Sequence, residues 1–141
     1  MKCLIIAAGK GSRLRSLTEA KPLISLKGIP LIDRVVDSAL KAGVDDFYVV
    51  IGYQGSLIRS HLEAVSRAKN ISITIIENEE WERANGVSVL KAKQYLDEPF
   101  FLLMSDHIFD AEIACQLVLQ SSGNKGILLA VDENLGNPFI D

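Results

Sequence analysis

Two loops in this sequence carry side chains suited to phosphate and to a hard metal ion. The first is Gly9-Lys10-Gly11-Ser12-Arg13, with Lys21 further along the same extended stretch. Glycines at 9 and 11 let the backbone approach an anion closely and expose successive N–H donors. The Ser12 hydroxyl adds a donor, and Arg13 adds a planar fork matched to phosphate oxygens. Lys21 supplies a point charge. The bland alternative is a strand-to-helix turn with exposed basic side chains; Arg13 and Lys21 together weigh against it. The second loop is Ser105-Asp106-His107, directly behind an apolar run. Packing explains a carboxylate there poorly, whereas Mg²⁺ favours one or two carboxylates completed by substrate phosphates. Capping the next helix is the competing role for Asp106. His107 is a poor Mg²⁺ ligand and reads as a hydrogen-bonding or solvent-facing neighbour.

A weaker third signal is Asn85-Gly86-Val87-Ser88. Asn and Ser can read the edge of a base, and Gly86 permits close approach. Asn is also a common helix cap. Trp81 reads equally as a ligand cover and as a surface-packed ring. His61 falls on a helix stripe and reads as structural.

These loops need a scaffold that holds them side by side. Residues 2–8 (KCLIIAA) read as a strand buried on both faces, since the run is nearly all apolar. Pro30 opens a helix whose stripe is Leu31, Val35, Val36 and Ala39, and Gly43 ends it. Residues 47–52 form a second strand. A helix over 54–67 carries Leu57, Ile58, His61, Leu62 and Val65, and 71–76 is the third strand. After the polar segment 77–85 come a helix from Gly86 to Tyr95 and a fourth strand over 99–104. A helix over 110–120 and a fifth strand over 125–131 complete the pattern. This alternation predicts an α/β domain: a mainly parallel sheet between two helical layers. Ligands on such a sheet bind beyond the carboxyl ends of the strands, where the strand order reverses. If strands one and four are neighbours there, the two loops share one crevice. The tail, 132–141 (DENLGNPFID), offers no element to close a further layer, so a single domain truncated after strand five is expected.

Composition narrows the partners. Residues 1–41 hold eight Lys/Arg against three Asp/Glu, while residues 42–141 hold seven against fifteen. The first third is therefore suited to something anionic. With the whole chain at −3 and no basic face interleaved with aromatics, nucleic acid is disfavoured and a polyphosphate at one loop is favoured. No apolar run approaches the roughly 20 residues of a membrane span, and Leu4–Ala8 is too short for a signal peptide core. Cys3 and Cys115 lack metal-ligand spacing and read as two buried free thiols, which fits a reducing cytosol. The P-loop pattern is absent. The dinucleotide fingerprint fails as well, lacking its third glycine and an immediate helix.

The run from Ala7 to Ile32 resembles the signature of the sugar-phosphate nucleotidyltransferase superfamily. It has the Gly-x-Gly-x-Arg-Leu loop, a following Thr, Lys21-Pro22-Leu23, and Gly28-Ile29-Pro30-Leu31. Ala20 departs from the proline that many members carry. Within the superfamily, 77–93 (ENEEWERANGVSVLKAK) and 102–110 (LLMSDHIFD) are most similar to the inositol-1-phosphate cytidylyltransferases, often one domain of a bifunctional enzyme whose membrane transferase domain makes phosphoinositol lipids. Cytidylyltransferases of other alcohol phosphates and hexose-1-phosphate uridylyl- and thymidylyltransferases are close competitors. A molybdopterin-type transferase fits the Asn-Gly-x-Ser segment less well. Non-catalytic nucleotide-binding relatives usually lose the Arg or the carboxylate, both present here.

The resemblance implies a Rossmann-like, GT-A-type fold and a cytoplasmic, Mg²⁺-dependent enzyme. Its substrates would be an NTP, CTP in first place, and a phosphorylated alcohol or sugar, with inositol 1-phosphate favoured. It implies that Gly9, Gly11 and Ser12 hold the triphosphate and that Arg13 stabilises departing pyrophosphate. Lys21 would bridge the phosphates of the two substrates, and Asp106 would hold Mg²⁺. Ala7, Ala8, Asn85, Gly86 and Ser88 would line the base pocket. In the superfamily the second metal-binding aspartate and much of the acceptor pocket come from later positions than any in this sequence.

Overall fold

A computed structural model describes residues 1–11, 20–121 and 126–131. In chain order the elements are β1 (Lys2–Ala7), a 3₁₀ turn (Lys21–Leu23), β2 (Ser25–Leu26), β3 (Ile29–Pro30) and α1 (Leu31–Lys41). Then follow β4 (Asp46–Ile51), α2 (Gly55–Lys69), β5 (Ser72–Glu77), α3 (Asn85–Lys91), a 3₁₀ turn (Lys93–Tyr95), β6 (Phe101–Met104) and α4 (Ala111–Ser121).

Four strands form one parallel sheet in the order β5-β4-β1-β6. Both faces of β1 are covered, which is why its sequence is an apolar run without alternation. On one face Cys3, Ile5, Ala7, Phe47, Val49 and Ile51 pack under α1 and α2. On the other, Leu4, Ile6 and Val50 meet Val89 and Ala92 at the end of α3, with Trp81 and Leu96 beside them. The stripe that α1 buries is Ile32, Val35, Val36 and Ala39, the i, i+3, i+4, i+7 pattern of a one-sided helix. Ile32 takes the place expected for Leu31, because Pro30 stands one position before the helix rather than inside it. Gly43, at φ +84°, ends the helix: its N–H bonds Leu40 O and that of Val44 bonds Ala39 O. In α2 the buried positions are Ile58, Leu62 and Val65; Leu57 faces solvent, and His61 Nε2 lies 2.6 Å from Asp33 Oδ1 of α1. That contact bears out a structural role for His61.

The strand order has a consequence for the helices. The crossovers β1→β4 and β4→β5 step one way along the sheet, and β5→β6 steps back past both. Parallel crossovers are right-handed, so reversing the step moves the connecting helix to the opposite face. α1 and α2 therefore share one face while α3 lies on the other. α4 packs back on α1, where Ser38 Oγ donates to Phe109 O at 3.5 Å. The expected three-layer α/β/α architecture is present.

Three features differ from expectation. The β2–β3 hairpin escaped the apolar pattern; its turn is Lys27-Gly28, at φ +52° and +77°, and two positive values in succession define the hairpin-closing turn that glycine favours. The fifth strand, expected over 125–131, does not form among the described residues 126–131. Ile127, Leu129 and Val131 there are 88%, 77% and 75% exposed. An apolar run specifies a buried strand only where layers exist to cover it, and none of the described elements lies over this one. Cys115, expected buried, is only half-buried. The tail beyond residue 131 lies outside the described residues. Among the described residues, no helix is long and apolar enough to cross a membrane.

Two measurements check this packing. Leu62→Ala should lower unfolding free energy by about 2–5 kcal/mol in denaturant titration, as for a fully buried leucine, and Leu57→Ala by less than about 0.5 kcal/mol. Burial pushes the Cys3 thiol up to about 12. At pH 8 the native protein should therefore label on Cys115 alone, with Cys3 reacting only after unfolding. Prompt labelling of both would contradict a two-sided cover on β1.

Candidate active site

The order reversal falls between β1 and β6, whose last paired residues are Ile6 and Met104. Pairing runs one step further, since Ser105 N donates to Ile6 O at 3.1 Å. On the other side of β1, Tyr53 N donates to Ala8 O at 2.9 Å. Both strands are thus held to their ends before the chain leaves the sheet. Gly9–Gly11 and Ser105–His107 emerge side by side at the carboxyl rim, as a shared crevice requires.

Lys21 enters this crevice from a third segment. Ala20 and Pro22 are buried, and Leu23 N donates to Ala20 O at 2.8 Å, so the backbone around Lys21 is fixed. Its side chain runs over Gly11. A Cβ on Gly11 would lie 2.7 Å from Lys21 Cδ and 3.0 Å from Lys21 Cβ, and Gly11 has φ +66°. Glycine is required there twice, for conformation and for space. The lysine ends in an ion pair between its Nζ and Asp106 Oδ2, with side chains 30% and 22% exposed. His107 Nε2 stands 3.9 Å from Asp106 Oδ1, too far for a hydrogen bond, and its ring is largely exposed. The space over Gly9 is open. Ser12 and Arg13 lie outside the described residues. The structure therefore brings Gly9, Gly11, Lys21 and Asp106 together.

The residues expected around a base divide into two groups. Ala7 and Ala8 are buried at the end of β1. Asn85 and Gly86 form the exposed first turn of α3, and Gly86 has no neighbour that a Cβ would meet. Ser88 is buried, and its Oγ accepts a hydrogen bond from Asn78 Nδ2 at 3.0 Å. Sequence reasoning missed Asn78. The available signal was the one that marked Asp106, a polar residue immediately beyond a buried strand. Gly52 and Tyr53 were missed as well. A Cβ on Gly52 would lie 2.4 Å from Trp81 Cβ and 2.9 Å from Ala8 O. Trp81 also packs on Tyr53, with centroids 5.3 Å apart, and Lys10 Nζ lies 5.5 Å from the Tyr53 ring centre. An aromatic pair thus flanks Lys10 of the glycine loop. A neighbouring hollow of about 550 Å³, lined by Ser56, Arg59, Asn78 and Trp81, borders this region but includes neither Lys21 nor Asp106.

Among the described residues no group of three or more His, Cys, Asp or Glu side chains could hold a metal ion by itself. Asp106 offers one hard oxygen ligand. That suits Mg²⁺ shared between a single carboxylate and ligand phosphates, and it does not suit a closed structural zinc site.

Known proteins resemble this chain in sequence and in fold. The chain is 34% identical over 115 residues to the bifunctional IPC transferase and DIPP synthase of Rubrobacter xylanophilus, covering 81% of this chain and 26% of that protein. It is 29% identical to the UTP–glucose-1-phosphate uridylyltransferase AglF of Haloferax volcanii, covering 94% and 54%. Among solved structures, the inositol-1-phosphate CTP transferase from T. maritima superposes with TM-score 0.71 at 27% identity, over 89% of this chain and 49% of that one. UDP-glucose pyrophosphorylase superposes with TM-score 0.69 at 22% identity, over 86% and 52%, a likeness of fold. The chain thus spans between a quarter and just over half the length of these proteins. The family model described as the MobA-like NTP transferase domain matches residues 3–140, and the chain belongs to that family.

Proposed function

We propose that this protein transfers a nucleoside monophosphate from an NTP, with CTP first in order, to a phosphorylated alcohol, with inositol 1-phosphate first. The observation that carries the reading is the placement of Lys21 and Asp106 as a pair at the β1/β6 reversal, against the glycine loop. Cytidylyl and inositol chemistry is favoured because a structural neighbour is an inositol-1-phosphate CTP transferase. A uridylyl transfer to a hexose 1-phosphate is the second reading, favoured by the likeness to AglF.

In this reaction an oxygen of the acceptor phosphate bonds to the α-phosphorus of the NTP. The bond from that phosphorus to the α,β-bridging oxygen breaks, and pyrophosphate leaves with the electron pair. No side chain acts as a nucleophile, so the protein contributes positioning and charge neutralisation. The amides of Gly9 and Gly11 and the Ser12 hydroxyl hold the triphosphate. Arg13 stabilises the charge that develops on pyrophosphate. The Lys21 ammonium, held over Gly11, reaches the phosphates of both substrates and sets their in-line approach. Asp106 would hold Mg²⁺, which would supply neutralisation of phosphate charge. Ala7, Ala8, Asn85 and Gly86 receive the base, while Ser88, expected there too, is turned inward to Asn78 and supports the turn that carries Asn85 and Gly86. The activity belongs in the cytoplasm, where NTPs are abundant, and its product would serve phospholipid synthesis.

The deciding assay measures pyrophosphate release across four NTPs with inositol 1-phosphate, glucose 1-phosphate and phosphocholine. CTP with inositol 1-phosphate should give the highest kcat/KM. UTP with glucose 1-phosphate in first place would establish the second reading, and no release with any pair would remove the catalytic one. Lys21→Ala should lower kcat by roughly 10²–10³; an unchanged rate would take Lys21 out of the mechanism. Asp106→Asn should shift the Mg²⁺ dependence of turnover to higher concentration. An identical Mg²⁺ curve would leave Asp106 with no metal role.

A further inference from the structure

We infer that Asn78 is a positioning residue that sets base selectivity by fixing the first turn of α3 against the end of β1. The inference rests on the reading above, in which Asn85 and Gly86 meet the base. Asn78 and Ser88 are 2% and 3% exposed, and with Ser105 they are the buried polar side chains among the described residues. Asn78 sits one residue past β5, and its N–H donates to Ile51 O at 2.9 Å, which ties it to the end of β4. Its Oδ1 accepts from Glu80 N at 3.0 Å. A backbone N–H can only donate, so this bond fixes the orientation of the amide and directs Nδ2 to Ser88 Oγ. One side chain thus starts the turn after β5 and holds a residue ten positions further on.

Between these anchors the segment is otherwise tied by surface ion pairs, Arg83 to Glu80 and Lys91 of α3 to Glu79 and Glu80, which contribute little. Residues 79–84 form turns with no helix or strand, and α3 is seven residues long with no side-chain cap at its N-terminus. A helix that short has little stability of its own, so its orientation comes from tertiary contacts. Val89 and Ala92 seat its far end on the sheet. Nearer its start the Asn78–Ser88 bond holds it from the inside, while Trp81, earlier in the segment, lies against Gly52. The bond therefore acts on Ser88 and, through the helix turn, on Asn85 and Gly86. Removing the amide would let this turn move relative to β1 while leaving the Gly9–Gly11 loop, Lys21 and Asp106 in place.

Trp81, the chain's single tryptophan, lies inside the segment and reports on it. Its fluorescence can be titrated with CTP, UTP and inorganic triphosphate, the last having no base. In Asn78→Ala the Kd for CTP should rise about tenfold, as for loss of one buried hydrogen bond. The preference of CTP over UTP should collapse, while the Kd for inorganic triphosphate and the acceptor KM stay at their wild-type values. Ser88→Ala removes only the acceptor of the bond and should give the same pattern, so it carries the test if Asn78→Ala does not fold. The double variant should be no worse than either single one, since both break the same bond. A CTP:UTP ratio that survives both substitutions, with only a lower Tm, overturns the positioning role alone. Wild-type protein that binds no NTP overturns the functional reading as well.

Discussion

The handedness of the β5→β6 crossover is the constraint from which the rest of the site follows. A right-handed connection that steps back across β4 and β1 must place α3 on the face opposite α1 and α2. It must also set the carboxyl end of β6 beside that of β1. The chain then leaves the sheet in opposite directions from two neighbouring strands, and a crevice opens between them. Neither loop needs to be long to reach the other. Asp106 is two residues beyond β6, and Gly9 two residues beyond β1.

Within that crevice the Lys21–Asp106 pair is poorly explained as a device for stability. Both side chains retain about a quarter of their exposure, and pairs of that kind contribute of the order of 1 kcal/mol or less. Yet the backbone on each side is held more firmly than such a pair requires. Ala20 and Pro22 are buried around the lysine, and Ser105 is buried and bonded to β1 beside the aspartate. A charged group on a fixed backbone with a partly open tip is suited to meeting a charged ligand, because little reorganisation remains when the ligand arrives.

The fold and the placing of the Gly9–Gly11 loop beside Asp106 were legible in the sequence because their signals are local. A buried parallel strand announces itself as an apolar run, a one-sided helix as a 3.6-residue stripe, and a phosphate loop as spaced glycines followed by cations. Gly11 shows the limit of such reading. Its flexibility was visible, but the need for an empty Cβ position under Lys21 arises from a residue ten positions away. The Lys27-Gly28 hairpin was overlooked because two-residue strands carry no periodicity. The run over 125–131 misled for the converse reason: the apolar pattern was present, but burial depends on layers the local sequence does not encode.

The Asn85–Ser88 side was legible only in part because its order is non-local. Asn85-Gly86-Val87-Ser88 reads as a short motif whose polar groups all face a ligand, but the structure gives them different tasks. Asn85 and Gly86 are exposed, whereas Ser88 turns inward to a buried amide. An amide buried in an apolar layer loses its water, so its partner must be supplied by the fold. Asn78 and Ser88 each satisfy that demand for the other. Their bond spans a segment with no regular structure, and the geometry of the exposed pair is therefore inherited from the buried one.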